Sequence, residues 1–448
     1  MDVSIIETSG LGDRSYLVSK DGRAVVIDPQ RDIDRILDLA RDRDVAITHV
    51  LETHIHNDYV TGGLELSGTT GAEYVVPAGD DVGYDRRAVS DGEVIDAGPM
   101  SFQVIHTPGH TPTHVSYVLR DAAGVAVGVF TGGSLLHGTT GRTDLVSAEH
   151  TVELTHAQFH SVRRLARELG DDVEVYPTHG FGSFCSATPA SGDSSTIGDE
   201  RRANPALTKD EQAYVDELLA GLGAYPAYYA HMGVINTDGP PPVDLSLPEP
   251  VNPAELRRRI DAGQWVVDLR SRTAFAAGHL AGSVGFELST QFVTYLGWLY
   301  RWGAPLTLIG EDRDQILQAR RELARIGVDN ITGSAAGEVT ALSGGQALRR
   351  YRVASFADLA HALDAGDLTV LDVRQKSEYD AGHVRDAVNI PLHEVLSRRD
   401  EVPAGPVWVH CGSGYRASIA CSLIDHADRT VVLIDDAFDN APEHALVS

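Results

Sequence analysis

The chain has 448 residues, of which 42% are hydrophobic and 23% are charged, as is usual for folded globular proteins. At roughly 100–200 residues per domain, this length predicts about three domains. The 37 basic and 64 acidic residues give a formal net charge of -27, which disfavours nucleic acid and anionic membranes as partners.

Residues 1–7 contain no basic region that leads into an apolar stretch, so we predict no secretory signal. No window of the chain approaches the ~20 apolar residues of a membrane-spanning helix. The three cysteines, Cys185, Cys411 and Cys421, are too few for a disulfide framework. We therefore expect a cytoplasmic protein whose thiols are reduced.

In the first 240 residues, apolar stretches typical of buried strands run repeatedly into loops that carry polar residues. His54, His56 and Asp58 alternate along the first of these loops, and two later loops carry His110 and His179. Buried strands that deliver such loops to one edge of a domain assemble a site there. Imidazole and carboxylate groups suit zinc or iron, so these loops predict a metal site.

The same region resembles a known family. The histidine loops, the glycine-rich loop 131–133 and the segment Gly141-Arg142-Thr143-Asp144 resemble the metallo-β-lactamase superfamily. Within it, the chain is most similar to persulfide dioxygenases and their glyoxalase II-like relatives. The resemblance implies an αββα sandwich over residues 1–240, a mononuclear Fe(II) site and a substrate contact by Arg142 and Asp144.

Two positions depart from the superfamily pattern. Tyr59 stands where a second-site histidine normally follows the aspartate, and Gly133 stands where a loop normally supplies a metal-binding aspartate. Both changes weaken a dinuclear zinc centre and disfavour hydrolysis by two metals. For the missing carboxylate of an iron site, three alternatives are open: Asp58 supplies it, water fills the position, or the site binds metal poorly. The predicted ligands, for iron first and zinc second, are His54, His56, His110 and then Asp58, with His179 at an outer site.

Cys185 lies six residues beyond His179 and is predicted to face the same cavity. It is interpreted either as a small buried hydrophobic residue or as a substrate contact that handles sulfur.

After the first domain, the sequence breaks and then repeats. A proline-rich stretch within 236–253 predicts a domain boundary, and a softer break lies at 343–345. The segments 266–284 and 370–388 share an apolar stretch, an Asp-x-Arg motif and a Gly-His pair. This repeat predicts two small α/β domains, at 251–345 and 351–448.

The second copy carries a cysteine at the end of an apolar stretch, just before a predicted helix. There, backbone N–H groups and the positive end of the helix dipole stabilise a thiolate. The loop resembles the active-site loop of rhodanese sulfurtransferases, in which a cysteine carries sulfane sulfur as a persulfide. The resemblance implies that Cys411 is the nucleophile and that Arg416 fixes the loop or attracts an anionic donor such as thiosulfate. The residues between them that would cradle the sulfur are Gly412, Ser413, Gly414 and Tyr415.

The first copy has Gly310 at the position of Cys411, and Glu311 and Asp312 follow it. A loop with no nucleophile and two acidic side chains would not hold an anionic sulfur group. We therefore predict that the rhodanese-like domain at 251–345 is inactive.

The order of the three domains resembles the persulfide dioxygenase–rhodanese fusions of bacterial sulfide detoxification. It implies that a low-molecular-weight thiol persulfide is oxidised by O₂ to sulfite, and that Cys411 exchanges sulfane sulfur among persulfide, sulfite and thiosulfate. One alternative is a zinc thioester hydrolase of the glyoxalase II type. Another is a sulfurtransferase whose first domain only presents substrates to Cys411. We also expect a homodimer.

Overall fold

A computed structural model describes residues 1–186, 192–366, 368–425, 429–441 and 446–447 of the chain. The chain divides into two units. One unit comprises Met1–Asp244 with Ala324–Gly327, and the other comprises Leu245–Leu323 with Val328–Ser448. None of the described helices is both long and apolar enough to cross a bilayer.

The first sheet of the first unit lies within residues 1–89, all of which are described, and has six strands. They are β1 (Asp2–Thr8), β2 (Asp13–Lys20), β3 (Arg23–Ile27), β4 (Ala46–Leu51), β5 (Glu73–Pro77) and β6 (Arg87–Val89). The strands lie side by side in chain order; β1 to β3 pair antiparallel, and β3 to β6 pair parallel. Each parallel step requires a crossover, and two of these crossovers contain helices. The helices are α1 (Asp34–Asp42) and α2 (Gly63–Thr70).

The second sheet of this unit is mostly antiparallel and is followed by helices. The strands from residue 94 onward are β7 (Val94–Asp96), β8 (Ser101–His106), β9 (Val115–Arg120), β10 (Ala126–Gly132), β11 (Leu135–Leu136), β12 (Thr139–Thr140) and β13 (Glu174–Pro177). The sheet order is β13-β10-β9-β8-β7, and β11 and β12 form a separate short ribbon. The helices are α3 (Thr151–Glu168), α4 (Ile197–Ala203), α5 (Pro205–Thr208), α6 (Glu211–Gly221) and α7 (Tyr229–Asp238).

The two sheets face each other across an apolar core, because every second residue of a strand points to the same face. Side chains of both sheets fill this core, including Tyr16, Ile27, Phe102, Tyr117 and Phe130. The outer face of the first sheet packs against α1 and α2, and the outer face of the second packs against α3 and α6. These four layers confirm the predicted αββα sandwich.

In the second unit, the first α/β region contains a four-stranded parallel sheet within residues 265–336, all of which are described. Its strands are β14 (Trp265–Asp268), β15 (Val284–Gly285), β16 (Leu306–Gly310) and β17 (Ile331–Ala336), in the order β15-β14-β16-β17. Its helices are α8 (Pro253–Asp261), α9 (Arg272–Ala277), α10 (Phe292–Leu299), α11 (Arg313–Arg325) and α12 (Val339–Leu342).

The second α/β region contains a five-stranded parallel sheet among the described residues of 352–434. Its strands are β18 (Arg352–Ala354), β19 (Thr369–Asp372), β20 (Val388–Asn389), β21 (Gly405–His410) and β22 (Arg429–Ile434), in the order β18-β22-β21-β19-β20. Its α-helices are α13 (Phe356–Ala365), α14 (Lys376–Asp380) and α15 (Tyr415–Ile424). Short 3₁₀ helices lie at Leu392–Glu394, Arg399–Glu401 and Phe438–Asn440.

The sequence repeat corresponds to a repeated contact. The Arg270 guanidinium donates to the Asp268 carboxylate at 2.6 Å and to the Gly278 carbonyl at 2.9 Å. In the second copy, Arg374 donates to Asp372 at 2.7 Å and to the Gly382 carbonyl at 2.8 Å. In both copies, this ion pair fixes the loop that follows a buried strand.

The two units divide the chain within the proline-rich stretch 236–253. The proline-rich stretch predicted as a boundary begins inside α7, and the two units divide between Asp244 and Leu245. The finer division into domains at 1–240, 251–345 and 351–448 stays a prediction.

Candidate functional sites

Three histidines from three loops converge in the first unit. His54 follows β4, His110 follows β8 and His179 follows β13, and all three side chains are buried. One ligand nitrogen from each lies within 4.8 Å of those of the other two. The Nε2 atoms of His54 and His179 are 3.3 Å apart.

Neighbouring groups orient these rings. The Thr53 hydroxyl donates to the Asp28 carboxylate at 2.7 Å, so its oxygen accepts the Nδ1–H of His54 at 2.9 Å. His110 donates its Nδ1–H to the carbonyl of Arg142 at 2.7 Å. These bonds turn the Nε2 atoms of both rings away from their anchors.

His179 is anchored by two carboxylates. Its Nδ1 lies 2.9 Å from Asp13 and 3.0 Å from Asp58. Burial alone would lower the pKa of His179, but Asp58 and Asp13 outweigh burial and raise the pKa to about 10. Burial and the neighbouring His179 lower the pKa of His110 to about 3.

The cluster has the features of a metal site. His110 Nε2 is buried and has no hydrogen-bond partner among the described residues. A buried imidazole nitrogen without a partner is costly unless something binds it. Imidazole nitrogens that converge in this way are ligands that both zinc and iron accept, so the residues fit a metal ion.

His56 lies beside this cluster but is held differently. Its Nε2 atom is 3.2 Å from Glu52, 3.4 Å from Asp28 and 3.0 Å from the Tyr59 hydroxyl. Burial would lower the pKa of His56, but Asp28 and Glu52 raise it to about 9. Its other ring nitrogen, Nδ1, is buried and has no partner among the described residues. Two further groups of close ligand atoms include this ring: one is His56, Asp58 and His179, and the other is Asp28, Glu52 and His56.

Tyr59, one of the two departures from the superfamily pattern, supports His56. Its hydroxyl donates to the Asp28 carbonyl at 3.2 Å and lies against the His56 ring nitrogen. Tyr59 therefore positions an imidazole of the cluster.

Gly133, the other departure, leaves no room for a side chain. A Cβ atom at this position would lie 2.2 Å from Cδ2 of His110. The Gly133 N–H donates to Nε2 of His114 at 3.1 Å, and the His114 ring stacks on His54 with centroids 4.9 Å apart. Sequence reasoning missed His114, although it lies only four residues after His110.

Arg142 and Asp144, the predicted substrate contacts, pair with each other. The Arg142 guanidinium donates to Asp144 at 2.7 and 2.8 Å and to the carbonyls of Phe184 and Gly223. Arg142 is 3% exposed, so in this structure its role is to hold the loop whose carbonyl orients His110. A substrate contact by these two residues stays a prediction.

Cys185 is completely buried, and its sulfur lies 3.8 Å from the Tyr229 hydroxyl and beside the Asp58 carboxylate. Burial, together with the negative charge of Asp58, raises the pKa of its thiol well above 9. Cys185 therefore adjoins the histidine cluster, and its thiol is held in the protonated form; a role in handling sulfur stays a prediction.

The second candidate site lies in the turn from β21 to α15. Cys411 follows the last residue of the strand and is 1% exposed. Gly414 precedes the helix with a φ of +89°. The first N–H groups of any helix lack intrahelical acceptors, so this turn places donors next to the cysteine.

Arg416 forms an ion pair in this loop. Its guanidinium donates to the two carboxylate oxygens of Glu378 at 2.5 and 2.7 Å. Burial would lower the pKa of Arg416, but this ion pair raises it. In this structure the ion pair ties the Cys411 loop to α14, and the part that Arg416 plays in sulfur transfer stays a prediction. Sequence reasoning missed Glu378, which lies four residues after Arg374.

The first α/β region of the second unit contributes to the surroundings of this loop. The Tyr415 hydroxyl donates to the carbonyl of Glu287 at 2.8 Å, and the Tyr295 and Tyr415 rings lie 5.9 Å apart. Arg272 bridges Glu287 at 2.6 Å and Asp435 at 2.7 Å.

The corresponding loop of the first copy is filled by its own side chain. Gln315 stands at the position of Arg416, and its carbonyl oxygen accepts the N–H of Glu311 at 2.8 Å. Gly310 replaces the cysteine, and Ala274 replaces Glu378. These contacts agree with a copy that has lost the nucleophile and its ion pair together.

Comparisons with known proteins agree with this geometry. The profile of the metallo-beta-lactamase superfamily matches residues 11–180, and the profile of the rhodanese-like domain matches residues 355–440. Neither range includes residues 251–345, so a second rhodanese-like domain stays a prediction.

Three relatives illustrate the similarity. The mitochondrial persulfide dioxygenase ETHE1 of Homo sapiens is 29% identical over 248 residues, which cover 55% of this chain and 83% of that protein. A hydroxyacylglutathione hydrolase of Rhodospirillum rubrum is 34% identical over 222 residues, which cover 46% of this chain and 85% of that protein. The crystal structure of a metallo-beta-lactamase from Staphylococcus aureus aligns with a TM-score of 0.67 at 29% identity, and covers 75% of this chain and 99% of that one.

Proposed function

Because the chain belongs to the metallo-β-lactamase superfamily and also carries a rhodanese-like domain, we propose that it is a sulfur enzyme with two reaction centres. The first unit oxidises a low-molecular-weight thiol persulfide with O₂ to sulfite at a single iron ion. Cys411 transfers sulfane sulfur. The observation that carries this proposal is a buried histidine cluster suited to one ion, on the same chain as a cysteine in a rhodanese-like loop.

The oxidation balances as RSSH + O₂ + H₂O → RSH + SO₃²⁻ + 2 H⁺. The outer sulfur loses four electrons, and O₂ gains four. When bound, iron supplies the one-electron chemistry that O₂ requires. The protein orients the imidazoles through Thr53, Arg142 and Asp13, and burial of the cluster excludes bulk water.

The transfer step needs no metal. The Cys411 thiolate attacks the outer sulfur of a persulfide, a new S–S bond forms, and the thiolate RS⁻ leaves. Sulfite then attacks the outer sulfur of the Cys411 persulfide, and thiosulfate and the free cysteine are released. The ion pair of Arg416 with Glu378 keeps the loop in shape through both steps.

Hydrolysis of a thioester by zinc is the second candidate, because a hydroxyacylglutathione hydrolase is among the relatives. Gly133 and Tyr59 argue against it, since the dinuclear version of such a site needs ligands at both positions. A metal-free first domain that only presents substrates to Cys411 is the third candidate.

Metal content and oxygen uptake decide among the three. Protein purified without oxygen is analysed by mass spectrometry for iron and zinc and is then given glutathione persulfide in an oxygen electrode. We expect about one iron per chain and O₂ consumption that the Cys411→Ala variant retains. Two zinc ions with thioester hydrolysis would establish the hydrolase. An iron-loaded protein that consumes no O₂ with glutathione or coenzyme A persulfide would refute the oxidation.

The identity of the thiol, a homodimer and a cytoplasmic location stay predictions.

A further inference from the structure

We infer that the metal ion of the first unit is held by three imidazoles, those of His54, His110 and His179, with no carboxylate ligand. This inference rests on the proposed function, because it names the ligands of the iron ion at which the persulfide would be oxidised. It departs from the arrangement of two histidines and one carboxylate that the family resemblance implies.

The spacing of the three rings is the first argument. Metal–nitrogen bonds to histidine are about 2.0–2.1 Å long, so two nitrogens on one ion at angles between about 90° and 109° lie roughly 2.8–3.4 Å apart. The Nε2 atoms of His54 and His179 are 3.3 Å apart. His110 completes the group, and its Nε2 atom is a buried nitrogen that lacks a hydrogen-bond partner among the described residues.

The second argument is that each ring is already held at its other nitrogen. The Nδ1 atoms of His54, His110 and His179 bond to Thr53, the Arg142 carbonyl and Asp13, respectively. A metal-binding histidine almost always donates its remaining N–H to such an acceptor, which fixes the ring and raises its basicity. All three rings have this partner, including His179, which the sequence placed only at an outer site.

The third argument is that the carboxylates lie elsewhere. Gly133 has no side chain, and a Cβ there would overlap the His110 ring. Asp58 lies 3.0 Å from Nδ1 of His179, the nitrogen that does not face His54. The ligand atom of Asp58 lies within 4.8 Å of those of His56 and His179. His54 and His110 form a separate group with His179, and Asp58 is not part of it.

This ligand set has a consequence for the substrate. Three imidazoles, each neutral once its Nε2 atom binds the ion, would leave the formal charge of the Fe(II) centre at +2, whereas a carboxylate ligand would reduce it to +1. In a buried site, a higher charge binds an anion more strongly. The structure therefore favours a deprotonated persulfide, RSS⁻, as the species that binds.

Two matched substitutions test the ligand set by metal content. In His179→Gln, the bound iron per chain should fall at least about tenfold. This is a lower bound, because loss of a residue that merely orients a metal ligand already weakens metal binding about tenfold. In Asp58→Asn, most of the iron should remain, because Asp13 still holds the His179 ring. His137→Gln is the control for loss of a buried histidine of the first unit outside the cluster, because the His137 ring bonds to the Val175 carbonyl at 3.1 Å, and it should retain iron. Thermal unfolding followed by far-ultraviolet circular dichroism serves as the folding control in all three variants, because the substitutions lie in the first unit and Cys411 lies in the second.

A spectroscopic measurement on the unaltered protein avoids any folding problem. The nitric oxide adduct of the iron-loaded protein is examined by pulsed electron paramagnetic resonance, which counts coordinated imidazole nitrogens. Three imidazoles would support the inference. Two imidazoles, or iron lost from Asp58→Asn and kept by His179→Gln, would overturn it. If three imidazoles are found but no persulfide is oxidised, the proposed function fails while the ligand set stands.

Discussion

At the scale of single residues, the absence of a side chain at Gly133 makes room for the histidine cluster of the first unit. The His110 ring occupies the volume that a side chain at Gly133 would need, and the Gly133 N–H bonds to His114. The backbone of Gly133 does not lie in the left-handed region, so its conformation does not require glycine. Close approach of the imidazole is therefore the reason for glycine at this position.

Gly133→Ala should consequently damage the metal site. The added Cβ would meet His110 Cδ2 at 2.2 Å and push the ring away from its partners. We expect the iron content after reconstitution to fall by at least about tenfold, as for other changes that misplace a metal ligand. The measurement is metal per chain by mass spectrometry after dialysis.

Gly68→Ala is the matched control, because a Cβ at Gly68, within α2, meets nothing within 4 Å. It should keep its iron and gain about 0.5–1 kcal/mol of stability, since alanine is the better helix former. If Gly133→Ala binds iron as well as Gly68→Ala does, the close approach of His110 is not what limits this position.

His410 makes the second unit sensitive to acid. Burial lowers the pKa of this histidine to about 4, although the Asp372 carboxylate lies 3.5 Å away. In the unfolded chain, the histidine takes up a proton near pH 6.5, so the unfolded state binds more protons between about pH 4 and 6.5. Stability is therefore lost as the pH falls through this range, by up to about 1.4 kcal/mol per pH unit.

The four tryptophans all lie in the second unit, so their fluorescence reports its unfolding. Urea unfolding followed in this way at pH 7 and pH 5 should show the loss in the parent protein. His410→Gln should reduce the difference in the free energy of unfolding between pH 7 and pH 5. His361→Gln, which changes an exposed histidine, should not. Equal pH dependence in all three proteins would contradict this role of His410.

At the scale of structural elements, the turn from β21 to α15 depends on Gly414. Its φ of +89° is left-handed, and a Cβ would lie 2.1 Å from an oxygen of Asp435. Gly414→Ala should cost at least about 1–2 kcal/mol for the backbone alone and should also distort the Cys411 loop. We expect a large loss of kcat in a sulfurtransferase assay with thiosulfate or persulfide as donor.

Gly405→Ala provides the comparison at the other end of the same strand. Gly405 has a φ of +97°, but a Cβ there meets nothing within 4 Å. This variant should lose similar backbone stability and keep its kcat. Parallel losses of kcat in the two variants would show that strand stability, and not loop shape, controls transfer.

The sequence predicts the strands and the loops that follow them, but it does not predict which residues of distant elements contact each other. Periodicity located the buried strands, and the loops that follow them carry the histidines, so the cluster was predictable. The groups that orient the rings were not, because Asp13 lies 166 residues from His179 and the Arg142 carbonyl lies 32 residues from His110. A backbone carbonyl has no side-chain signature at all. Glu378 was missed because sequence spacing alone does not bring α14 to the start of α15.

At the scale of the whole molecule, a metallo-β-lactamase fold and a rhodanese-like domain lie on one chain. One copy of the repeat in the second unit has neither the cysteine nor the arginine nor the glutamate, and the other copy has all three. The proposed function therefore has one candidate transfer site, at Cys411, and one candidate metal site, at the histidine cluster of the first unit. Under the proposed function, sulfite is formed on the same chain that carries its sulfur donor, the Cys411 persulfide, which raises the effective concentration of sulfite at Cys411.

Cys411→Ala should therefore change the product without changing oxygen consumption. With excess glutathione persulfide, the parent protein should release mainly thiosulfate, because sulfite takes sulfane sulfur from the Cys411 persulfide. The variant lacks this sulfur donor and should release sulfite, measured by ion chromatography after subtraction of the reaction without enzyme. Cys421→Ala, which changes a buried cysteine of α15, should still release thiosulfate. His54→Gln should release neither product from persulfide, yet should form thiosulfate again when sulfite is added. A Cys411→Ala variant that releases as much thiosulfate as the parent protein would show that sulfur reaches sulfite by another route.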